Sequence, residues 1–157
     1  MTSSRGNQYI VIFYDYNTDS IQEIPTNIRN AAEIIDATVP IMSILTTSGH
    51  QPNLHIFENE VSSIFKEYLP KNKIKYQLVL LHLHIHNEAK HAIPTFKAYF
   101  ITCLCASKPK YMAKEWYCFL PQATLTLNFL SNCRFNPKLW AFLIITEHHF
   151  TDLKAES

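Results

Sequence analysis

The sequence predicts an α/β fold in which helices flank a mixed central sheet. Short apolar runs alternate with helical patterns in the order β-β-α-β-α-β-α-α, which is typical of a layered α/β domain. A length of 157 residues suits one domain with a real core. Hydrophobic residues make up 47% of the chain and charged residues 17%, the composition of an ordinary globular protein.

The first part of the chain is predicted to form a hairpin and a long helix. Tyr9 to Tyr14 is an unbroken run of apolar, β-branched and aromatic residues, as in a buried strand. Turn-forming residues follow it, and Ser20 to Pro25 can return as a second strand. Asn30 followed by Glu33 matches a capping box that opens a helix, which Pro40 should kink or end.

The second part of the chain alternates strands with helices. Leu54 to Phe57 and Ile74 to Leu81 are short runs that favour strands. Glu60 to Leu69 places its apolar residues on one helical face. A helix is predicted to start at Asn87 and run past Phe100, and a last amphipathic helix from Lys114 to Leu130.

Charge and cysteine usage bound the possible partners. The formal net charge is +1, so any contact with DNA must come from a local patch. The four cysteines form no CxxC pair, which favours reduced thiols and an intracellular protein. The N-terminus lacks an apolar signal core, and no apolar run approaches the roughly 18 residues that span a bilayer, so no membrane partner is expected.

Three ordered segments resemble one family. Ser3 to Ile10 (SSRGNQYI) running into Tyr14 to Asn17 (YDYN) is similar to S-S-R-G-N-x-Y-I followed by Y-D-Y-[DN]. Asn87 to Lys97 (NEAKHAIPTFK) resembles a helix that reads N-A-A-E-R-A-I-R-T-F-K. Trp116 to Leu139, with LPQA, TLN and NPKL, resembles W…L-P-Q-A…T-L-N…N-P-K-L. These are the patterns of certain retrotransposon integrase catalytic cores.

The resemblance implies a ribonuclease H-like fold with an incomplete first strand. We expect an N-terminally truncated integrase-core-like domain at residues 1–139 and a divergent tail at 140–157. In the resembled family the core joins DNA in the nucleus by in-line phosphodiester chemistry, with two Mg²⁺ ions held by an Asp, Asp, Glu triad. DNA and a possible homodimer are therefore the partners that the resemblance implies.

Each triad position is altered in this sequence. The family's first Asp lies upstream of the SSRGN segment, so it is expected to be absent from this chain. Asp15 matches a non-catalytic residue and is interpreted as a strand-to-turn cap. Glu58 stands at the second Asp position, one methylene longer than the aspartate. Lys90 stands at the third position, where a cation that offers no lone pair replaces the Glu.

The sequence therefore predicts an inactive remnant of an integrase core, with no cofactor and no metal expected in this chain. By the resemblance, His84, Asn87 and Lys97 are candidate nucleic-acid-binding residues. Pro94 is expected to weaken the helix that carries Lys90, because it removes one backbone hydrogen bond.

Two alternatives stay open. One is a host-adopted interaction or dimerisation module built on the same fold. The other is a zinc-dependent hydrolase, because His82, His84 and His86 alternate and would face one way on an extended chain.

Overall fold

The computed structural model describes residues 2–58, 62–79, 88–106 and 114–141. In this part of the chain the strands and helices follow the predicted order, and the α/β class is confirmed. The elements are β1 (Tyr9–Asp15), β2 (Ser20–Thr26), α1 (Ala31–Thr47), β3 (Leu54–Glu58), α2 (Ser63–Lys71), β4 (Lys75–Val79), α3 (Glu88–Ala106), a 3-10 helix (Trp116–Phe119) and α4 (Leu120–Leu130).

The four described strands form two separate sheets. β1 and β2 pair antiparallel, with Tyr9 opposite Thr26. β3 and β4 pair parallel, with Leu54 opposite Lys75. Within the described ranges each sheet has two strands, so the prediction of one mixed sheet is wrong for this part of the molecule. β1 and β3 share no hydrogen-bond ladder, and a cleft separates them.

The helix ends follow local capping chemistry. Asn30 caps α1 as predicted, since its Oδ1 accepts a hydrogen bond from the Glu33 N–H at 2.8 Å. Ser62 caps α2 in the same way, with its Oγ accepting from the Phe65 N–H at 3.3 Å. The second helix therefore begins at Ser63, three residues later than the predicted Glu60.

Pro40 and Pro94 do not end their helices. Pro40 was predicted to kink or end α1, and because the helix continues to Thr47 the second of these outcomes is wrong. Ile41 and Leu45 beyond the proline are buried, and this packing holds the second half of the helix in place. α3 likewise runs through Pro94 to Ala106.

Two apolar clusters make the core. The larger one joins α3, α4 and the 3-10 helix to the hairpin, where Ile10, Ile12 and Tyr14 pack against it. Its buried members are Ile21, Ala92, Phe96, Phe100, Trp116, Leu120, Ala123 and Leu127. The smaller cluster packs Phe65, Leu69 and Ile74 under α1. The predicted last helix is thus divided into a 3-10 turn and α4, with Pro121 at the start of the latter.

The helices in the described ranges are too short or too polar to cross a membrane.

Candidate functional site

The candidate site is at the end of the parallel strand pair. Glu58 is the last residue of β3 and lies opposite Val79 of β4. Side chains that follow the carboxyl ends of parallel strands collect at one edge of an α/β sheet. α3 begins nearby along the chain at Glu88, and its second residue, Ala89, lines the cleft beside β3. The role of Glu58 as the second triad position stays a prediction.

Lys90 lies in the first turn of α3 and is half-buried. Lys97 follows seven residues later and is exposed, which places both cations close to one face of the helix because a turn takes 3.6 residues. Ala92, Phe96 and Phe100 occupy a different face and are buried in the larger core cluster. His84 and Asn87, the other two predicted nucleic-acid contacts, lie outside the described residues.

A lysine at position 90 offers no ligand to a magnesium ion. Within residues 2–58, 62–79, 88–106 and 114–141, no three His, Cys, Asp or Glu side chains come together to hold a metal ion. Mg²⁺ takes hard oxygen ligands, and an ammonium group repels it. The row formed by His82, His84 and His86 lies outside the described residues, so the zinc alternative remains a prediction.

Asp15 has the structural role that the sequence predicts. Its Oδ2 accepts hydrogen bonds from the Thr18 N–H at 3.0 Å and from the Thr18 hydroxyl at 2.6 Å. These two bonds close the turn between β1 and β2, as Asx side chains commonly do. The interpretation of Asp15 as a strand-to-turn cap is confirmed.

A cluster around Arg134 at the same turn was not predicted from the sequence. Arg134 forms an ion pair with Asp19 at 2.9 Å, and its Nη2 donates to the Tyr14 hydroxyl at 3.3 Å. Its guanidinium also lies 3.9 Å from the ring centroid of Tyr16. The Tyr14 hydroxyl donates in turn to Asp19. Asp19 neutralises the charge of Arg134. The contacts of Arg134 with Asp19, Tyr14 and Tyr16 link the hairpin to the residues after α4.

No local sequence pattern predicts these contacts, because Arg134 and Tyr14 are 120 positions apart in the sequence. The cluster borders an open pocket of about 400 Å³ that His91 and Thr95 of α3 also line.

The solved structures that are similar to this chain include two forms of one integrase catalytic core. The dimeric form of the HTLV-2 integrase catalytic core domain in complex with magnesium aligns with a TM-score of 0.64 and 16% identity, covering 87% of this chain and 82% of that one. The trimeric form aligns with a TM-score of 0.59 and 15% identity, covering 87% and 91%. No family model matches the sequence, and no curated protein matches it. At this identity the similarity shows the fold, which is that of an integrase catalytic core.

Proposed function

We propose that this chain is a catalytically inactive remnant of a retrotransposon integrase core that keeps weak, non-specific affinity for DNA. The observation that carries the proposal is Lys90 in the first turn of α3, in a chain with the fold of an integrase core. The triad motif of the resembled family has a glutamate at that position. A lysine there supplies positive charge and no metal ligand.

The same helix supports the binding part of the proposal. Lys90 and Lys97 lie two turns apart on one side of α3, away from the residues that pack into the core. Spaced cations on one helix face can contact successive phosphates of a DNA backbone, and such contacts carry no sequence preference. An acid at position 90 would repel the phosphates that a lysine attracts. We therefore assign the loss of catalysis to Lys90 and the retained DNA contact to Lys97, which is the exposed lysine of the two.

Catalysis is tested with the purified chain, labelled duplex ends, and Mg²⁺ or Mn²⁺, alongside an active integrase core as the positive control. We expect no nicked or joined product above the level without protein. Glu58→Ala is the matched variant, because Glu58 is the candidate second ligand. Metal-dependent product that disappears in Glu58→Ala would contradict the proposal.

DNA binding is tested by titrating a random-sequence duplex at several salt concentrations. We expect a dissociation constant on the order of 10⁻⁴ to 10⁻⁶ M at physiological salt, the usual range of non-specific binding. Lys97→Ala should lower the slope of log affinity against log salt by about 0.9, since one phosphate contact is lost. Lys138→Ala removes another exposed lysine, after α4, and is the control that should leave the slope unchanged. Equal salt-dependence slopes for the unmodified chain, Lys97→Ala and Lys138→Ala would exclude a role for α3 in DNA binding.

Homodimerisation and a nuclear location remain predictions from the resemblance. Sedimentation of the purified chain checks the first, and imaging of the tagged chain in cells checks the second.

A further inference from the structure

α2 ends in a tight turn whose hydrogen bonds define a Schellman motif. The Ile74 N–H donates to the Leu69 carbonyl at 3.0 Å, and the Lys73 N–H donates to the Pro70 carbonyl at 3.0 Å. Leu69 and Ile74 are buried together in the smaller core cluster, which supplies the apolar contact of this motif. The residue at its left-handed position is Lys73, with a φ of 61°.

Lys73 occupies a backbone position that favours glycine. In the left-handed region a side chain brings Cβ close to the following carbonyl oxygen, and glycine avoids this contact because it has no Cβ. The Lys73 side chain is exposed, so it is not needed to pack the core. What it adds to the turn is a positive charge on a strained backbone. Strained residues of this kind are concentrated at functional sites.

Lys73 is the middle one of three exposed lysines. Lys71 is the last residue of α2, and Lys75 is the first residue of β4. We name these three residues the basic turn. In the described part of the chain none of them takes part in an ion pair. Glu67 lies one turn before Lys71 on α2 and can attract that lysine, so Lys73 and Lys75 are the two cations most available to a partner.

The basic turn is not needed to cap α2. The Tyr68 carbonyl accepts hydrogen bonds from the N–H of Asn72 and from its side-chain amide, the latter at 2.9 Å. The carbonyls of Leu69 and Pro70 accept from backbone N–H groups of the turn. These carbonyls at the end of the helix therefore have partners without any lysine ammonium group.

An exposed leucine lies beside the basic turn. Leu54 of β3 is paired in register with Lys75 of β4, so the two side chains lie on the same face of the parallel pair. Leu54 is 49% exposed. Both residues stand at the amino end of their strands, whereas Glu58 is the last residue of β3. The basic turn and Leu54 thus form a surface at the other end of the strand pair from the candidate site.

We propose that the basic turn and Leu54 bind an acidic segment of a partner protein, with carboxylates beside Lys73 and Lys75 and an apolar side chain against Leu54. The lysines steer an acidic partner towards this surface, and an apolar contact next to them adds affinity. A phosphate backbone gains from the lysines and gains nothing from Leu54, which favours a polypeptide over nucleic acid as the occupant. The inference is independent of the proposed function, since it concerns neither Lys90 nor Lys97.

The probe is a short, fluorescently labelled peptide in which single leucines are separated by pairs of glutamates, added to the complete chain. We expect saturable binding by fluorescence anisotropy that weakens as salt is added, because salt screens exposed charges. A control peptide has glutamine in place of every glutamate and should bind at least about tenfold more weakly. Equal binding of the two peptides, or no binding of either, would overturn the proposal.

Lys73→Gly separates the use of the charge from the stability of the turn. Glycine relieves the strain at a φ of 61°, so the variant should melt at a higher temperature than the unmodified chain. It should also bind the acidic peptide about threefold to fivefold more weakly, the effect of losing one exposed ion pair. A lower melting temperature would mean that the lysine side chain stabilises the turn, and this result would contradict the proposal.

Three further variants identify the contacts. Lys75→Gln should weaken peptide binding by a similar factor, and Lys138→Gln, which changes an exposed lysine after α4, should leave it unchanged. Leu54→Ser should weaken binding of the peptide and leave binding of a random-sequence DNA duplex unchanged. Equal effects of Lys75→Gln and Lys138→Gln would overturn the proposal, because net charge alone would then attract the peptide. If Lys73→Gly weakens duplex binding as much as peptide binding, the surface is a nucleic-acid contact and the proposal is wrong.

Discussion

The side chain of Asn128 in α4 pairs with both peptide groups of Ile21 in β2. Its Oδ1 accepts from the Ile21 N–H at 2.8 Å, and its Nδ2 donates to the Ile21 carbonyl at 2.8 Å. Asn128 is 4% exposed and Ile21 is 5% exposed, so neither peptide group can bond to water instead. The Asn128 side chain thus makes the two hydrogen bonds that a residue of a neighbouring strand would make with Ile21. These bonds hold α4 against the edge of the hairpin.

We predict that Asn128→Ala destabilises the protein by about 2 to 3 kcal/mol. The substitution leaves a buried N–H and a buried C=O without partners, and each carries a desolvation cost of about 1 to 3 kcal/mol. Urea unfolding followed by circular dichroism measures the loss. Gln122→Ala on the exposed side of the same helix removes a single side-chain bond to Thr126 and should change stability by less than about 0.5 kcal/mol. Similar losses in both variants would refute this account of Asn128.

The sequence predicts the local elements and not the contacts between them. Strand and helix order follow from side-chain periodicity and from caps such as Asn30, which act within a few residues. A polar residue on the apolar face formed by Leu120, Ala123 and Leu127 indicates that Asn128 is buried and bonded. Its partner lies 107 positions away, and periodicity carries no information over that distance.

The same limit applies to the candidate site. The helical pattern places Lys90 and Lys97 on one helix, and the structure confirms that helix. The division into two sheets was not predicted, because strand runs alone do not say which edges pair. Pro40 shows the converse, since a strong local signal to end the helix is outweighed by the burial of Ile41 and Leu45.

Glu23 is predicted to make stability depend on pH. Burial raises the pKa of its carboxyl above the ordinary value of 4.5, against the opposing effect of the hydrogen bond that the Thr124 hydroxyl donates to it at 2.5 Å. A raised pKa in the folded state favours the protonated form. The stability that Glu23 contributes is therefore fully present below pH 4.5 and is lost as the pH rises through the folded-state pKa.

The measurement is the melting temperature of Glu23→Gln and of the unmodified protein across this range. The variant keeps an acceptor for Thr124 and removes the charge, so it should melt higher at pH 7, and the gap should close as the pH falls to 4.5 and below. Glu67→Gln, on an exposed site of α2, controls for net charge and should show no such trend. A gap that widens on acidification would reverse the assigned direction of the pKa shift.

Arg134 is predicted to stabilise the hairpin turn modestly. Its side chain is 35% exposed and that of Asp19 is 23% exposed, so solvent screens their ion pair. We expect Arg134→Ala to cost about 1 kcal/mol, and a double-mutant cycle with Asp19→Asn to give a coupling below about 1 kcal/mol. Arg134→Lys should recover less than half of the loss, because lysine has neither the planar fork nor the stacking on Tyr16. Full recovery by lysine would mean that charge alone accounts for the contact.

Pro94 is predicted to lower the stability of α3. It is exposed and is the seventh residue of a 19-residue helix, where a proline is about 3 kcal/mol less favourable than alanine because it gives up one backbone hydrogen bond and crowds the preceding turn. Pro94→Ala should therefore raise the free energy of unfolding by about 1 to 3 kcal/mol. The gain is smaller than the full cost of a proline to the extent that the backbone of α3 has already adjusted to the Pro94 ring. For a chain of this size each kcal/mol raises the melting temperature by about 2 to 4 °C. Pro121→Ala is the matched control, since Pro121 lies in the first turn of α4, where no helical bond is lost and proline is favoured. An increase in Pro121→Ala equal to that in Pro94→Ala would show that the gain comes from the unfolded chain and not from the helix.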